Sequence, residues 1–596
     1  MPEKLSGASE LVQHRRMPKE SKAVAIQKFQ DALALHTAGQ IADAQKIYHS
    51  ISSQLRNLAP FWHFHGLAQF QTGDLKSATV CFKQALLLTP NDANCLNRFA
   101  CVFLMEYRAD DARRHLHHAL TAAPDQPEAW RNLAEAERLN DDPVSERKLL
   151  KKALALRPDE RTWRMSYVSV LNDLEQPEEA LAAMRPLTGA AELAPVYFFQ
   201  KARAHYDAFE ASRAVLSYRK SLLLTPAAPP TLNNLQLVER RTGRMQDAVR
   251  SAERARLLDP GNPDLEHNFT DALLAAGEIE RGQARNFWRH CKAEIRIERV
   301  GLPKAWDGTP CDDGKALLIC QEQGIGDEIR FVSCIPDIQK RFRGPVILEA
   351  DKRLVPLFAR SFPDITVIEK RARSETMPSS ADYSGSVAAL HIGRHVMLAD
   401  LPNHVRTSIA DFPTHAGYLL PDSDEVRCWK NTFSANKHEQ SVGLCWRSGM
   451  RRQGARHNYP TSTEIASLMT VGNFLPVCLQ YDVSDSEIAA IQAISNRQLY
   501  LPRGIDQREE LDRLAAMIAA LDLVISPNTS VLMIAGAVGT PSIGLHSQCG
   551  AIFFGANADP WFPNECSLVK NGDRSWQPAV DEAVPHLIRM LEQAGR

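Results

Sequence analysis

A proline recurs at 34-residue intervals through the first half of this 596-residue chain. It closes runs such as KQALLLTP and KKALALRP, and its positions are Pro90, Pro124, Pro158, Pro226 and Pro260. The same period places a small residue twelve positions before the proline site in six units, at Ala44, Ala78, Ala112, Ala180, Ala214 and Ala248. The other two units have Glu146 and Gly282 at this position. A fixed period of this length predicts a repeat array, in which each unit packs on its neighbours.

Two helices per unit explain this pattern. Small side chains suit the places where paired helices approach closely, and the proline ends the second helix because it cannot continue the hydrogen-bond ladder. The turn between the helices carries a glycine in four units, at Gly39, Gly73, Gly243 and Gly277. The segment resembles tetratricopeptide repeats, with eight units beginning near residues 25, 59, 93, 127, 161, 195, 229 and 263, of which the fifth and eighth are the most irregular. Such arrays form a superhelix whose concave face binds extended peptide or a partner protein, although a dimerisation surface or a rigid spacer also fits.

The composition is that of a globular protein in water. Its 70 basic and 71 acidic side chains give a formal net charge of -1, which argues against a nucleic-acid or anionic-membrane partner. No apolar run approaches the ~18 residues that a membrane span needs, and the polar N-terminus predicts no signal peptide. The 12 cysteines contain no C-x-x-C pair and are expected to be reduced thiols. These features predict a soluble, cytoplasmic protein of several domains.

After about residue 300 the 34-residue period disappears, and short β-branched runs alternate with helical stretches. The predicted strands include ALLIC, PVILEA and ITVIEK, followed by SVGLCW, PVCLQY, DLVIS and PSIGL. Such alternation is typical of βα units on parallel sheets. A more polar, irregular segment over residues 402–440 is expected to join two such sheets. The fold class predicted is therefore α + α/β: a repeat superhelix followed by two Rossmann-like lobes, the plan of a GT-B glycosyltransferase, with ligands at the carboxyl ends of the strands.

The stretch QEQGIGDEIRF, residues 321–331, leaves the first of these strands through a glycine turn and places Asp327 at the start of the next helix. A carboxylate there has two interpretations. It caps the helix N-terminus, or it accepts a proton from an acceptor hydroxyl during sugar transfer. Glu322, five residues earlier, is an alternative base.

Several motifs in this order resemble the bacterial tetratricopeptide-repeat glycosyltransferases related to the heptosyltransferases, which include flagellin glycosyltransferases. The motifs are WDG, LLICQEQGIGDEIRF, CWRSGMRRQGARHNYP, CLQYD, DLVISPNTSVLMIAGAVGTP and PWFP. The resemblance implies a disordered tail over residues 1–24, repeats over 25–298, an acceptor-side lobe over 299–425 and a nucleotide-sugar-binding lobe over 426–596. It also implies that Asp327 is the general base.

The departing phosphate of a nucleotide sugar needs cations, hydroxyls or helix N–H groups around it. The residues expected to bind the donor are Gly326, Arg447, Ser448, Arg452, Arg456, Gln480, Asn528, Thr529 and Ser530. Each has an alternative interpretation: the arginines as a solvated loop, Thr529 as an ordinary helix cap, and Gln480 as a packing residue. No metal site and no cofactor besides the sugar donor is expected.

The sequence departs from the heptosyltransferase pattern at two positions. Where that family has Asp-Thr followed by a histidine, this chain has Asn528-Thr529 and Met533. ADP-heptose is therefore not the expected donor. The function predicted is transfer of a sugar to Ser or Thr of a protein, with flagellin as the first acceptor to consider. The alternative is a non-catalytic scaffold with a degenerate transferase domain; a lipopolysaccharide-core transferase would leave the repeats unexplained.

Overall fold

The structure is a computed structural model that describes residues 19–189, 194–292, 298–311, 313–370, 380–414, 417–436, 440–449, 458–548, 550–570 and 575–594. Two compact units divide the chain, residues 1–193 and 194–596. The second unit begins with the sixth repeat and continues through both sheets. Of the predicted N-terminal tail, residues 1–18 lie outside the described residues.

Sixteen α-helices in eight pairs form the repeat region described. In chain order the pairs are α1 (Lys19–Thr37) with α2 (Ile41–Ile51), α3 (Ala59–Gln71) with α4 (Leu75–Leu88), α5 (Ala93–Met105) with α6 (Ala109–Ala122), α7 (Pro127–Leu139) with α8 (Pro143–Leu156), α9 (Arg161–Asp173) with α10 (Pro177–Met184), α11 (Ala194–Asp207) with α12 (Ala211–Leu224), α13 (Pro229–Arg241) with α14 (Met245–Leu258), and α15 (Pro263–Ala275) with α16 (Ile279–Gln283). The predicted repeats are confirmed, including the irregular fifth and eighth units, whose second helices are the two shortest of these. A 3₁₀ helix, Asn286–Cys291, follows the last pair.

The periodic residues occupy the positions that the helix-pair interpretation requires. Helices α4, α6, α8, α12 and α14 each end two residues before their proline. All six alanines of the small-residue column are fully buried. In the last unit a Cβ on Gly282 would lie 2.5 Å from the Leu274 side chain, so only glycine fits there. These contacts explain why the period is maintained: neighbouring helix pairs leave no room for a larger side chain.

A four-stranded parallel sheet forms the first part of the α/β region. Its elements, with a two-stranded side sheet, are β1 (Glu298–Val300), β2 (Ala316–Cys320), α17 (Ile325–Phe331), α18 (Ile335–Phe342), β3 (Val346–Ala350), α19 (Val355–Ser361), β4 (Thr366–Glu369), β5 (Ser380–Asp382), α20 (Ser384–Ala389), β6 (Ile392–Met397) and α21 (Pro402–Val405). The main order is β4-β3-β2-β6, and β1 pairs with β5. Strand β2 is buried along its whole length, as its continuous apolar run predicts.

A five-stranded parallel sheet forms the second part. Its elements are α22 (Ser423–Ser434), β7 (Ser441–Leu444), α23 (Ser462–Leu468), β8 (Leu475–Cys478), α24 (Asp485–Ser495), α25 (Leu511–Ala519), β9 (Leu523–Pro527), α26 (Ser530–Val538), β10 (Ser542–His546), β11 (Glu565–Val569) and α27 (Gln577–Ala594). The order is β11-β10-β9-β7-β8. Because the strands are parallel, their carboxyl ends share one edge of the sheet. The predicted parallel sheets are confirmed; β6, β11 and α22 were not predicted.

The last repeat packs directly on the α/β region. Gln283 Nε2 donates a 2.6 Å hydrogen bond to the buried Arg406 carbonyl, and Ile279 belongs to the same apolar core as strand β2. A Cβ on Gly555 would lie 3.0 Å from the Gly277 backbone. The eighth repeat is therefore part of the structure that supports the first sheet.

Candidate functional site

Asp327 lies in the first turn of α17, directly after the loop that leaves β2. Its side chain is half-buried. Burial raises the pKa of this carboxyl above its ordinary value, and the Glu322 carboxylate adds to the effect, while Arg330 and a hydrogen bond from the Gly324 backbone N–H oppose it. The hydrogen bond from Gly324 is a helix-capping contact. Asp327 therefore caps the helix and is also a stronger base than an exposed aspartate.

The two glycines beside Asp327 are not required by backbone conformation or by packing among the described residues. Neither Gly324 nor Gly326 has a positive φ angle. A Cβ on Gly324 would meet only Asp327 Oδ2, at 3.9 Å, and one on Gly326 would meet only Met533 Cγ, at 3.4 Å. Glycine is also the residue that lets the backbone approach a ligand closely. The empty space around both positions is suited to that purpose.

Glu322, the other carboxylate of the loop, is engaged in buried contacts. It accepts hydrogen bonds from Arg289 Nη2 at 2.7 Å and from the Ala399 backbone N–H at 3.1 Å, and His290 Nδ1 lies 3.4 Å away. Arg289 also pairs with Asp400 at 2.7 Å. Glu322 thus ties the loop to the 3₁₀ helix after the repeats, and Asp327 is the better-placed proton acceptor of the two.

Two other charged side chains of α17 organise the site and were missed from the sequence. Buried Glu328 accepts hydrogen bonds from Gln321 Nε2 at 2.8 Å and from the Asp351 backbone N–H at 2.9 Å, and burial raises its pKa to about 7. Buried Arg330 binds both oxygens of Asp559, at 2.8 and 3.0 Å. Charged residues inside an apolar amphipathic segment were the signal in the sequence, since a buried charge needs a partner.

Helices α17 and α26 bring the two halves of the α/β region together. Arg330 Nη2 donates to Met533 Sδ at 3.0 Å, and Gly326 faces the same methionine. The PWFP motif completes this contact, because Trp561 and Phe562 are buried beneath the Arg330 guanidinium. Two segments that the sequence singled out separately, the glycine turn and the helix after DLVIS, therefore lie side by side.

The N-terminus of α26 carries three consecutive polar side chains, Asn528, Thr529 and Ser530. Thr529 occupies the cap position, but its side chain makes no capping hydrogen bond; its hydroxyl instead lies 3.0 Å from Ser526 Oγ. Asn528 is exposed, and Thr529 and Ser530 are half-exposed. Thr529 thus holds the cap position without the side-chain hydrogen bond of an ordinary cap, and the first backbone N–H groups of the helix receive no side-chain cap from this residue. Such an N-terminus attracts anions.

Arg447 and Gln480 make their hydrogen bonds within the second part of the α/β region, to the loop after β8 and to α24. Arg447 donates to Asp482 Oδ1 at 2.5 Å and to both carboxylate oxygens of Glu487, at 3.0 and 3.1 Å. Gln480 is buried, and its Oε1 accepts from the Arg447 backbone N–H at 3.1 Å while its Nε2 donates to Asp482 at 2.9 Å. These bonds fasten the loop after β7 to the loop after β8. Donor binding by the two residues stays a prediction.

The remaining predicted donor residues follow Arg447. Ser448 is half-buried. At the next residue, Gly449, a Cβ would lie 1.5 Å from the Tyr481 hydroxyl, so position 449 admits only glycine. Arg452 and Arg456 lie outside the described residues.

A buried polar chain runs from α17 toward the end of β10. Asp559, the partner of Arg330, also donates its backbone N–H to Ser567 Oγ at 3.1 Å. Ser567 Oγ donates to Glu565 Oε1 at 2.5 Å, and that oxygen lies 2.7 Å from His546 Nε2. His546 and Glu565 are both buried. In the sequence, the signal for this series of buried hydrogen bonds was the polar residues on one face of two otherwise apolar strands.

Cavities occur away from this site. One of about 1140 Å³ lies beside α22 and β8, one of about 860 Å³ lies between the eighth repeat and the first sheet, and one of about 740 Å³ lies between the sixth and seventh repeats and the ends of β10 and β11. Neither Asp327 nor Thr529 lines any of the three.

Among the described residues no group of three or more His, Cys, Asp or Glu side chains is arranged to hold a metal ion. No described helix combines the length and apolarity needed to span a bilayer.

A tetratricopeptide repeat family model matches residues 9–188. The chain carries tetratricopeptide repeats. It is also similar to protein FlbA of Caulobacter vibrioides, with 28% identity over 559 residues that cover 90% of this chain and 86% of the relative. The similarity to FlbA therefore extends through the repeats and both sheets.

Solved structures similar to part of the chain are repeat proteins. MamA from Desulfovibrio magneticus is 19% identical, with a TM-score of 0.26, 29% of this chain and 94% of that chain covered. YrrB, a tetratricopeptide-repeat protein with an unusual peptide-binding site, is 17% identical, with a TM-score of 0.28 and coverage of 31% and 96%. PilW, a type IV pilus biogenesis factor, is 18% identical, with a TM-score of 0.32 and coverage of 34% and 95%.

Proposed function

We propose that this chain is a protein O-glycosyltransferase, in which the repeats bind a polypeptide and the two sheets form a GT-B transferase that uses a nucleotide sugar. The observation that carries the proposal is the packing of α17 beside α26, where Arg330 Nη2 lies 3.0 Å from Met533 Sδ and a Cβ on Gly326 would lie 3.4 Å from Met533 Cγ. It brings a base, Asp327, close to a helix N-terminus that suits a phosphate. Base and anion site are the two features that sugar transfer from a nucleotide donor requires.

The chemistry follows from these two features. The Asp327 carboxylate takes the proton of a Ser or Thr hydroxyl as the hydroxyl oxygen attacks the anomeric carbon. The bond between that carbon and the phosphate oxygen breaks, and the electron pair stays with the nucleoside diphosphate. The backbone N–H groups at the start of α26, with the Thr529 and Ser530 side chains, stabilise the departing charge. The raised pKa of Asp327 makes it the stronger base once it is ionised.

The repeats supply the acceptor in this proposal. A polypeptide bound to them has a high effective concentration at the transferase site of the same chain, so weak recognition of the target residue is enough. The resemblance to flagellin glycosyltransferases makes flagellin the first acceptor to test.

The test replaces Asp327 with asparagine, which keeps the shape of the side chain and removes the base. Asp485→Asn is the matched control, since Asp485 is an exposed acid in the first turn of α24. Intact masses of flagellin, and of proteins captured by the full chain, are measured from cells that carry each variant. We expect masses higher by whole sugar units with wild type and Asp485→Asn, and a loss of at least 100-fold in modification with Asp327→Asn. Equal masses in all three cells contradict the transferase.

A non-catalytic scaffold is the second candidate, and two observations favour it. Met533 occupies the position of the family's histidine, and the Arg447 guanidinium is bound by Asp482 and Glu487. A thermal-shift screen with nucleoside diphosphates separates the two candidates, because a ligand at 100 times its Kd stabilises by about 2.7 kcal/mol. Stabilisation of wild type that Thr529→Val reduces supports the transferase; no stabilisation by any nucleotide supports the scaffold.

A further inference from the structure

The cavity of about 740 Å³ in the second unit has walls from three separate segments. The turn of the sixth repeat contributes Phe209, the end of α13 in the seventh contributes Arg240 and Arg241, and Gln548 and Lys570 come from the segments after strands β10 and β11. The strand ends lie on the same edge of the sheet as Thr529, because the strands are parallel. The cavity thus connects the repeats to the edge of the sheet that carries the candidate donor site.

Positive charge dominates the lining of this cavity. The described lining residues include four cations, Arg213, Arg240, Arg241 and Lys570, and one acid, Glu210. Glu210 is already engaged, since it pairs with Arg213 at 2.8 Å and lies 2.6 Å from His205 Nδ1. Cations therefore outnumber acids among the described lining residues, and the Asp271 carboxylate that pairs with Arg240 at 3.6 Å lies outside the lining.

Arg240 differs from the other buried arginines of the described chain. Arg289, Arg330 and Arg406 each donate hydrogen bonds to a carboxylate. Among the described residues the Arg240 side chain, 7% exposed, donates no hydrogen bond; its ion pair with Asp271 spans 3.6 Å, and its Nε, like those of Arg289 and Arg406, is buried without a partner. A buried guanidinium N–H without an acceptor is unfavourable. An acceptor within the cavity would satisfy the Nε–H and complement the remaining donors of the guanidinium.

Two cations of the cavity also lie close to the same aromatic ring. The Arg241 guanidinium carbon is 3.9 Å from the centroid of the Phe209 ring, and Lys570 Nζ is 4.9 Å from it. Phe209 is placed there by a left-handed backbone turn, with φ of 63°. Like charges brought together beside a partly buried ring repel each other, and an anion between them relieves the repulsion.

We propose that this cavity binds an oxyanion, and that the oxyanion is the carboxylate of an Asp or Glu side chain in the polypeptide carried by the repeats. Arg240 is the central ligand, with Arg241 and Lys570 beside it. The cavity would then select acceptors with an acidic residue at a fixed distance from the modified hydroxyl. Anion binding stands on the lining residues alone, whereas the assignment of the occupant rests on the proposed transferase function. A phosphate group of the nucleotide-sugar donor is the other oxyanion that this cavity would bind.

The test measures binding to the full-length chain by calorimetry, with hexaglutamate, hexaglutamine and uridine diphosphate as probes. Arg240→Gln removes the charge, and Arg250→Gln is the control, since Arg250 is an exposed arginine of the same repeat. We expect hexaglutamate to bind wild type and Arg250→Gln alike, at least tenfold more weakly to Arg240→Gln, and hexaglutamine to bind none of them measurably. Arg241→Gln provides a second variant if Arg240→Gln melts at a lower temperature than wild type.

Each other outcome has a defined meaning. If Arg240→Gln weakens uridine diphosphate and leaves hexaglutamate unchanged, the cavity is an anion site and its assignment to the acceptor is wrong. If neither arginine variant changes the binding of either anion, the proposal is overturned. None of these results depends on sugar transfer, so they are independent of the Asp327→Asn experiment.

Discussion

Glu146 is a single residue that breaks the pattern of its repeat array. It stands where six other units place a fully buried alanine, and it is itself 7% exposed. Burial raises the pKa of the Glu146 carboxyl to about 7, and Asp173 and Glu135 add to the shift while Arg138 opposes it. At neutral pH and above, the folded protein therefore contains a buried carboxylate with incomplete compensation.

Replacing Glu146 with alanine is expected to stabilise the first unit at pH 8. The folded pKa is raised, so the folded state binds more protons than the unfolded state between about pH 4.5 and 7, and wild-type stability falls as the pH rises through that window. Above it, Glu146→Ala should unfold with a free energy about 1–3 kcal/mol higher than wild type, and below pH 4.5 the advantage should disappear. Denaturant unfolding at pH 4 and pH 8 measures this. Asp159→Ala is the control, since Asp159 is an exposed acid of the same unit. Equal gains for Glu146→Ala at both pH values would contradict the explanation.

At the scale of the element, every helix pair turns through one left-handed residue. The positions recur every 34 residues: Gly39, Gly73, Tyr107, Asp141, Glu175, Phe209, Gly243 and Gly277. All have φ between 54° and 84°. The glycines of this set were recognised in the sequence as turn residues, but the other four were not, because their side chains disfavour the conformation that the helix pair imposes.

Tyr107→Gly is expected to stabilise its repeat. Tyr107 is 82% exposed and has φ of 57°, so its side chain gains little burial while its backbone is strained. A residue with a Cβ in the left-handed conformation strains the folded state by roughly 1–2 kcal/mol, and glycine removes that strain. Glycine also gives the unfolded chain more conformational freedom, which offsets about half of the gain. A gain of about 0.5–1 kcal/mol in unfolding free energy should follow. Tyr107→Ala keeps the Cβ and should show no gain; a comparable gain there would mean that the aromatic ring, not the backbone, is responsible.

At the scale of the whole molecule, the last repeats belong structurally to the α/β region. The second compact unit starts at Ala194, the eighth repeat supplies Gln283 to the support of the first sheet, and the 3₁₀ helix that follows it supplies Arg289. Removing Arg289 leaves the buried carboxylate of Glu322 without its cation. Breaking a buried pair in this way costs about 3–5 kcal/mol.

Two fragments test this dependence. Residues 194–596 should melt cooperatively, whereas residues 299–596 lack Arg289 and the Ile279 contact and should unfold at a much lower temperature or aggregate. Differential scanning calorimetry of both fragments, beside the full chain, provides the comparison. A fragment 299–596 as stable as 194–596 would show that the repeats do not support the first sheet.

Local patterns were enough to predict much of this protein. The repeat period, the helix ends before each proline and most strands of both sheets followed from the sequence, because they depend on residues close together in the chain and on a period repeated many times. The sequence also singled out the segment around Asp327, although it did not decide whether the Asp327 carboxylate caps a helix or accepts a proton.

Only the tertiary structure decided which side chains meet. The hydrogen bond of Arg330 to Met533, the engagement of Arg447 by Asp482 and Glu487, and the placement of Arg240 and Lys570 in one cavity each join residues far apart in the chain. A guanidinium in a loop has the same local sequence whether it faces a ligand or a carboxylate of its own fold. Its partner is chosen by how the sheets and the last repeats pack, and that packing depends on long-range burial that no local pattern encodes.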